Sequence, residues 1–261
     1  MSEQKIVDIF KNNVYGKQAD SSQHNSNHDG KIDHWLEKQM GIKPNAKNES
    51  DLLGFEMKNQ TSTKTNFGDW SPTYFIFDNP YIIQWDTGEN SFNRRNKYFL
   101  PIFGKPNEDI DHRLFWSGSV IPKINQRNQY GCILKITAHN DIEIQYSYSF
   151  DNRTHKSTLV PEVFQKEDLV IARWSANKMR QRVNQKFNQN SWFRCKTDGA
   201  GKYIAIEFGE ALSFEKWIRL VKKGAIFFDS GMYESNLQPY SNWHANNSLW
   251  DSLVVRSYTS F

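Results

Sequence analysis

Cysteine is scarce: Cys132 and Cys195 are the only two, and they form no Cys-x-x-Cys pair. A disulfide framework and a thiolate zinc site are therefore not indicated, and two free thiols are expected. Long apolar runs are missing as well. No stretch reaches the roughly 18 apolar residues of a membrane span, and Met1 is followed by Ser2, Glu3 and Gln4 rather than by a basic segment and an apolar one. The expectation is an intracellular, cytoplasmic protein with no membrane partner and no signal peptide. The chain also has no Gly-x-Gly-x-x-Gly, no P-loop and no Gly-x-Ser-x-Gly elbow. Dinucleotide, nucleoside-triphosphate and serine-hydrolase chemistry all lack their parts.

What is present describes a folded chain. Hydrophobic residues make up 38% and aromatics 15% of 261 residues, enough apolar surface for one large module with two lobes. Basic residues exceed acidic ones by only four, which permits a nucleic-acid partner without requiring one. The 25 Asn and 14 Gln together outnumber the 33 Lys and Arg. Side-chain amides suit adenine edges and phosphate oxygens, although compositional drift produces the same excess.

Periodicity gives a mixed α/β order of elements. Ile6, Phe10 and Val14 recur on one face of a helix over Ser2–Val14, and a polar surface loop follows over Gly16–Asp29. A second helix spans Asp29–Met40, with Asp29 near its cap, an apolar stripe of Ile32, Trp35, Leu36 and Met40, and Gly41 and Pro44 ending it. Short extended segments are expected at Leu52–Lys58 and Tyr74–Phe77. Cys132–Thr137 and the alternating Ile142–Phe150 predict an antiparallel hairpin with one polar face. Met179, Val183 and Phe187 set the apolar stripe of a helix over Ser175–Gln189, leaving Lys178, Arg180, Arg182 and Lys186 for its remaining surface. Later come a strand at Tyr203–Phe208, a helix at Ser213–Lys223, and strands at Ala225–Asp229 and Leu253–Tyr258 separated by a long polar and aromatic loop.

The segment Asp51-Leu-Leu-Gly-Phe-Glu56-Met-Lys58 carries the chemistry. A strand sets side chains at period two, so Glu56 and Lys58 share one face while Phe55 and Met57 take the other. Gly54 permits a bend that returns Asp51 toward Glu56, giving two carboxylates and an ammonium around one point. Two hard oxygen ligands favour Mg²⁺, which would suit phosphodiester hydrolysis. The bare Glu-x-Lys tripeptide decides nothing alone, since Glu3-Gln4-Lys5 repeats it on a helix and an edge-strand ion pair has the same sequence. His24, His28 and His34 with Asp29 approach a zinc spacing, but surface histidines explain them as well.

DGKIDHWLEKQMGI followed by DLLGFEMK and FIFDNP resembles the catalytic region of the MutH-like branch of the PD-(D/E)XK nucleases, most closely the MvaI and BcnI group of type II restriction endonucleases. The match covers about 50 residues. The resemblance implies a restriction-endonuclease-like core, a mixed central sheet flanked by helices, with residues 1–110 mainly catalytic and 111–261 mainly DNA-recognising. It implies Asp51 and Glu56 as Mg²⁺ ligands, Lys58 as the catalytic lysine and Glu37 as a further active-site carboxylate ordering the metal-water shell. It also implies a monomer acting on double-stranded DNA, with a cognate DNA methyltransferase as companion.

By the same resemblance the loop before the last strand reads bases, and Gln238, Tyr240, Asn242, His244, Asn246 and Asn247 are its candidates. The group's loop carries basic residues, whereas this chain has no Lys or Arg between Lys223 and Arg256, so the recognised sequence is expected to differ. A second candidate loop holds Lys123, Asn125, Gln126, Arg127 and Asn128. Arg94, Arg95 and Lys97 fit phosphate contacts. The expected function is a Mg²⁺-dependent, sequence-specific endonuclease of restriction type. The alternatives are a MutH-like strand-nicking repair enzyme and a DNA-binding protein that keeps the fold without cleaving.

Overall fold

The computed structural model describes residues 2–20, 31–43, 48–59, 63–79, 81 and 88–261. The polar stretch at 21–29, including the Asp29 cap, and His24, His28 and Pro44 lie outside the described residues.

Among the described residues the α-helices are α1 (Ser2–Asn13), α2 (Lys31–Gln39), α3 (Ser91–Arg94), α4 (Leu100–Phe103), α5 (Lys156–Leu159), α6 (Ala176–Phe187), α7 (Phe214–Lys222) and α8 (Asn247–Ser252). The first seven strands are β1 (Phe55–Met57), β2 (Lys64–Asp69), β3 (Tyr74–Phe75), β4 (Lys105–Asn107), β5 (Arg113–Trp116), β6 (Tyr130–Ile136) and β7 (Ile142–Asp151). The rest are β8 (Leu169–Trp174), β9 (Ser191–Thr197), β10 (Tyr203–Gly209), β11 (Ile226–Ser230), β12 (Met232–Tyr233), β13 (Ser241–Asn246) and β14 (Val254–Tyr258). None of the helices is long and apolar enough to cross a membrane.

The chain divides into two units, and each draws on sequence from before and after residue 110. The first comprises Met1–Thr65, Arg180–Trp217 and Ala245–Phe261. Its sheet has the order β1-β9-β10-β14. β1 runs parallel to β9, and the other pairs are antiparallel. The expected α1 stripe is present: Ile6, Phe10 and Val14, with Val7, bury against Leu36 and Met40 and against Phe55, Met57, Phe193, Cys195, Ile206 and Phe208. Each such side chain contributes roughly 1.5–3 kcal/mol by leaving water. Because side chains alternate along β1, burying Phe55 and Met57 in that core turns Glu56 to the opposite face. Glu3, from the other Glu-x-Lys tripeptide, accepts from Arg256 Nε at 2.7 Å and from the Tyr258 hydroxyl at 3.0 Å. That tripeptide is a clasp between the first helix and the last strand.

The second unit comprises Asn66–Met179 and Ile218–His244. Its four-stranded sheet, β3-β8-β7-β6, is antiparallel throughout. The expected hairpin forms, but its second face is not simply polar. Register shifts beside Ile144 and Cys132 break the alternation; Ser147 is buried and Phe150 exposed, and Glu143, in register with Lys135 and Arg173, is buried as well. Glu143 is compensated by Arg173, its cross-strand neighbour, at 2.7 Å, and Ser147 Oγ accepts from the Asp168 amide at 2.9 Å. The segment expected as a strand at Tyr74–Phe77 keeps only β3 before turning into a 3-10 helix, whose Asp78 carboxylate accepts from the Phe75 amide at 3.1 Å. The long loop expected before the last strand is largely ordered as β13 and α8. Its aromatics explain this, since Trp243 and Trp250 are buried and fix the backbone on either side of them.

Candidate active site

The turn at the head of β1 positions the first carboxylate. Leu53 and Gly54 both take the left-handed conformation, with φ of 51° and 84°. Leu52 and Phe55 exchange backbone hydrogen bonds across them, both at 2.9 Å, as in a two-residue hairpin turn. Asn190, just before β9, closes this turn: its amide side chain donates to the Leu53 carbonyl at 2.8 Å and its backbone N–H to the Gly54 carbonyl at 3.1 Å. A Cβ on Gly54 would lie 2.4 Å from Asn190 Nδ2 and push that amide aside, and the φ of Gly54 favours glycine. The bend returns Asp51 to the strand, where its Oδ2 accepts from the Met57 amide at 2.8 Å.

On the face of β1 opposite the core, Glu56 is only 3% exposed and Lys58 8%. Lys58 Nζ lies 2.7 Å from Glu56 Oε1 and over the Phe187 ring, 5.2 Å from its centre. Lys186 Nζ, from the last turn of α6, lies 3.0 Å from the same oxygen. Glu56 Oε2 is buried with no hydrogen-bond partner. Two cations thus load one carboxylate oxygen and leave the other open.

The electrostatics follow from this crowding. Burial, and then the charge of Glu56, push the Asp51 carboxyl up to about 6. The Met57 N–H and the two lysines pull it the other way. Burial holds the Lys58 ammonium below the ordinary lysine range, and the positive charge of Lys186 adds to the effect, while Glu56 opposes it. Among the described residues no group of three or more His, Cys, Asp or Glu side chains is arranged for a metal. Asp51 and Glu56 are two carboxylates, fewer than such a group needs.

Lys186 is the residue that sequence periodicity put on the wrong side, expecting it with Arg180 and Arg182 on the solvated surface of α6. Its side chain is 19% exposed and engaged with Glu56. The available signal was its place beside Phe187 and three residues after Val183, on the border of the apolar stripe. Asn190 was missed too, and as one amide in an amide-rich turn it carried no signal.

The structure pairs Glu37 with His34 Nδ1, at 3.5 Å on the same helix, and does not bond it to Asp51, Glu56 or Lys58. Arg94 and Arg95 were expected as phosphate contacts. Both are buried. Arg94 donates to the carbonyls of Phe77, at 2.7 Å, and Glu89, while Arg95 donates to the Asn236 carbonyl and lies over the Phe92 ring. Their charges satisfy backbone oxygens inside the second unit. Lys97, which is exposed, binds Glu89 at 2.8 Å.

In the second candidate loop Lys123, Asn125 and Gln126 are exposed. Asn128, expected as a base reader, donates to the carbonyls of Ser119 and Val120 and accepts from the amides of Tyr130 and Cys132. Arg127 donates to the Gly131 carbonyl and to Asp168 and covers Phe150 at 4.1 Å. Toward the C-terminus Gln238, Tyr240 and Asn246 are exposed. Asn242 accepts from Asn66 at 2.9 Å, His244 faces Asp229 at 3.7 Å, and Asn247 accepts from the Thr65 hydroxyl at 3.0 Å.

Comparison with known proteins bears on the fold and the family. The model of the LlaMI restriction endonuclease family matches residues 14–258. The type II restriction enzyme ScrFI of Lactococcus lactis subsp. cremoris is 43% identical over 265 residues, covering 97% of each chain. The solved structure of the restriction endonuclease MvaI in its complex with cognate DNA substrate superposes with a TM-score of 0.58 at 12% identity, covering 98% of this chain and 96% of that one. At that identity the superposition speaks for the fold, which is restriction-endonuclease-like. The sequence relationship along nearly the whole chain goes further, and this chain belongs to the LlaMI restriction endonuclease family.

Proposed function

We propose that this chain, a restriction endonuclease by family, is a type II enzyme that hydrolyses phosphodiester bonds in double-stranded DNA with Mg²⁺, using Asp51, Glu56 and Lys58. The observation that carries this reading is Glu56 Oε2, a buried carboxylate oxygen with no partner beside a second carboxylate. An anionic oxygen left unsatisfied in the interior is costly unless something binds it. Mg²⁺ fits the pair, since it is commonly bound by one or two carboxylates and completes its shell with waters and phosphate oxygens. When bound it would supply positive charge to the phosphate and lower the pKa of a coordinated water.

The protein's own groups do the rest. Lys58 is held by Glu56 and enclosed by Phe187, so its ammonium is fixed in place before substrate arrives. From there it donates to a phosphate oxygen or orients the attacking water. Its depressed pKa makes it readier than an ordinary lysine to give up a proton. Glu37, outside the cluster and half-buried, is assigned to ordering water rather than to metal ligation.

Sequence reading is assigned to the exposed side chains of the candidate set. Lys123, Asn125 and Gln126 form one group, and Gln238, Tyr240 and Asn246 the other. Asn242, His244 and Asn247 shape the backbone that carries the second group. A monomer in the cytoplasm, with a cognate DNA methyltransferase as companion activity, completes the proposal. The test is incubation of the purified chain with long unmethylated duplex DNA, with Mg²⁺ and with a chelator. Discrete metal-dependent fragments with common ends are expected, and Lys58→Ala should reduce their rate by about 10²-fold or more. Wild-type cleavage by Lys58→Ala would remove Lys58 from the mechanism.

A further inference from the structure

The first unit gathers two carboxylates, Asp51 and Glu56, and two ammonium groups, Lys58 and Lys186. Their formal charges cancel. Both ammoniums lie on Glu56 Oε1, at 2.7 and 3.0 Å, while Oε2 has no partner. The two lysines are not equivalent. Lys58 issues from the catalytic strand and is enclosed, with its ammonium over Phe187. Lys186 reaches in from the end of α6 on a long flexible stem, and its side chain remains 19% exposed. It is the cation that can withdraw without breaking the strand.

We propose that Lys186 is a positioning residue that acts through Glu56 as its resident counter-cation. It holds Oε1 so that Oε2 stays without a protein partner, and it balances the charge of the carboxylate pair in the absence of DNA. A divalent cation entering that neutral cluster meets two positive charges for two negative ones. It gains little there, because like charges a few ångströms apart in a poorly hydrated site repel strongly. A phosphodiester brings one further negative charge, and the balance then favours the cation. Lys186 in this way couples metal binding to the arrival of DNA and keeps the site nearly empty of Mg²⁺ beforehand. The inference rests on the reading of Asp51 and Glu56 as metal ligands.

The test is calorimetric titration of Mg²⁺ into the full-length, DNA-free protein. Lys186→Gln, which removes the charge, should bind Mg²⁺ at least about tenfold more tightly than wild type. Lys186→Arg, which keeps the charge, should bind as weakly as wild type. Lys186→Met, which preserves the aliphatic stem, should behave as Lys186→Gln and replaces it if thermal melting shows that Gln unfolds the chain. Equal or weaker Mg²⁺ binding by the folded neutral variants overturns the proposal. Adding Glu56→Gln to the neutral variant separates the two readings: loss of the tight binding keeps Glu56 as a ligand, and unchanged tight binding overturns both that assignment and the role of Lys186.

Discussion

Asn190 donates its side-chain amide to the carbonyl of Leu53 at 2.8 Å, across 137 residues of sequence. The bond holds the left-handed turn that aims Asp51 at the Met57 amide. Carboxylate placement is therefore settled by a residue outside the motif.

Asn190→Ala should remove about 1 kcal/mol of net hydrogen-bond stability. Its larger effect should be on activity, because a carboxylate displaced by a fraction of an ångström no longer shares a cation with Glu56 in the proposed geometry. The cleavage rate under saturating Mg²⁺ is expected to fall about tenfold or more. Gly54→Ala should do worse, since it adds a Cβ at a φ of 84° against the Asn190 amide. If Gly54→Ala matched wild type in both melting temperature and rate, the turn would not be what places Asp51.

The raised pKa of Asp51 predicts a pH dependence with a definite sign. Its carboxyl titrates at about 6 in the folded protein against 3.8 in the unfolded chain. Between those values the folded state holds a proton that the unfolded state has lost, so metal-free stability falls as pH rises through this window and is level above it. The loss is at most about 3 kcal/mol. Asp51→Asn should flatten the melting-temperature profile between pH 4 and 6, a window set by that shift, and raise the melting temperature at neutral pH. Divalent-metal binding by wild type should tighten as pH rises through about 6, because the ligand must first lose its proton.

A buried arginine bonded to carbonyls and an exposed lysine assigned to the DNA respond differently to substitution. Arg94→Ala leaves the carbonyls of Phe77 and Glu89 without their donor inside the second unit. It should lower the melting temperature by several degrees and leave the salt dependence of DNA binding unchanged. Lys123→Ala, at an exposed position, should spare stability and reduce the slope of log affinity against log salt by about one. Fluorescence anisotropy across a salt series, beside thermal melts, checks both. An unchanged slope for Lys123→Ala would remove it from the DNA contacts.

Glu37 and Glu56 separate by magnitude. Glu56→Gln removes the buried negative charge and replaces one carboxylate oxygen with an amide nitrogen, and should cost about 10³-fold or more in cleavage. Glu37→Gln, at a half-exposed position bonded to His34, should cost about tenfold or less. Equal losses measured at saturating Mg²⁺ would make Glu37 a full member of the metal site.

By itself the sequence determined whatever depends on local period and backbone chirality. The α1 stripe of Ile6, Phe10 and Val14, the alternation that separates Glu56 from Phe55 and Met57, and the bend at Gly54 are all written in adjacent residues. These properties need only the 3.6 and 2 residue repeats and the conformational freedom of glycine. Tertiary structure decided where the charged and amide groups found their partners. A lysine on a stripe's border turned inward because Glu56 was there to receive it. Arg94, Arg95 and Asn128, which look like DNA contacts as bare residue types, were taken by the carbonyls and amides that folding had left unsatisfied. Aromatic burial at Trp243 and Trp250 likewise made a strand and a helix of a segment that reads as loop. A polar side chain's role is set by its nearest unsatisfied neighbour, and in a folded chain that neighbour can lie a hundred residues away.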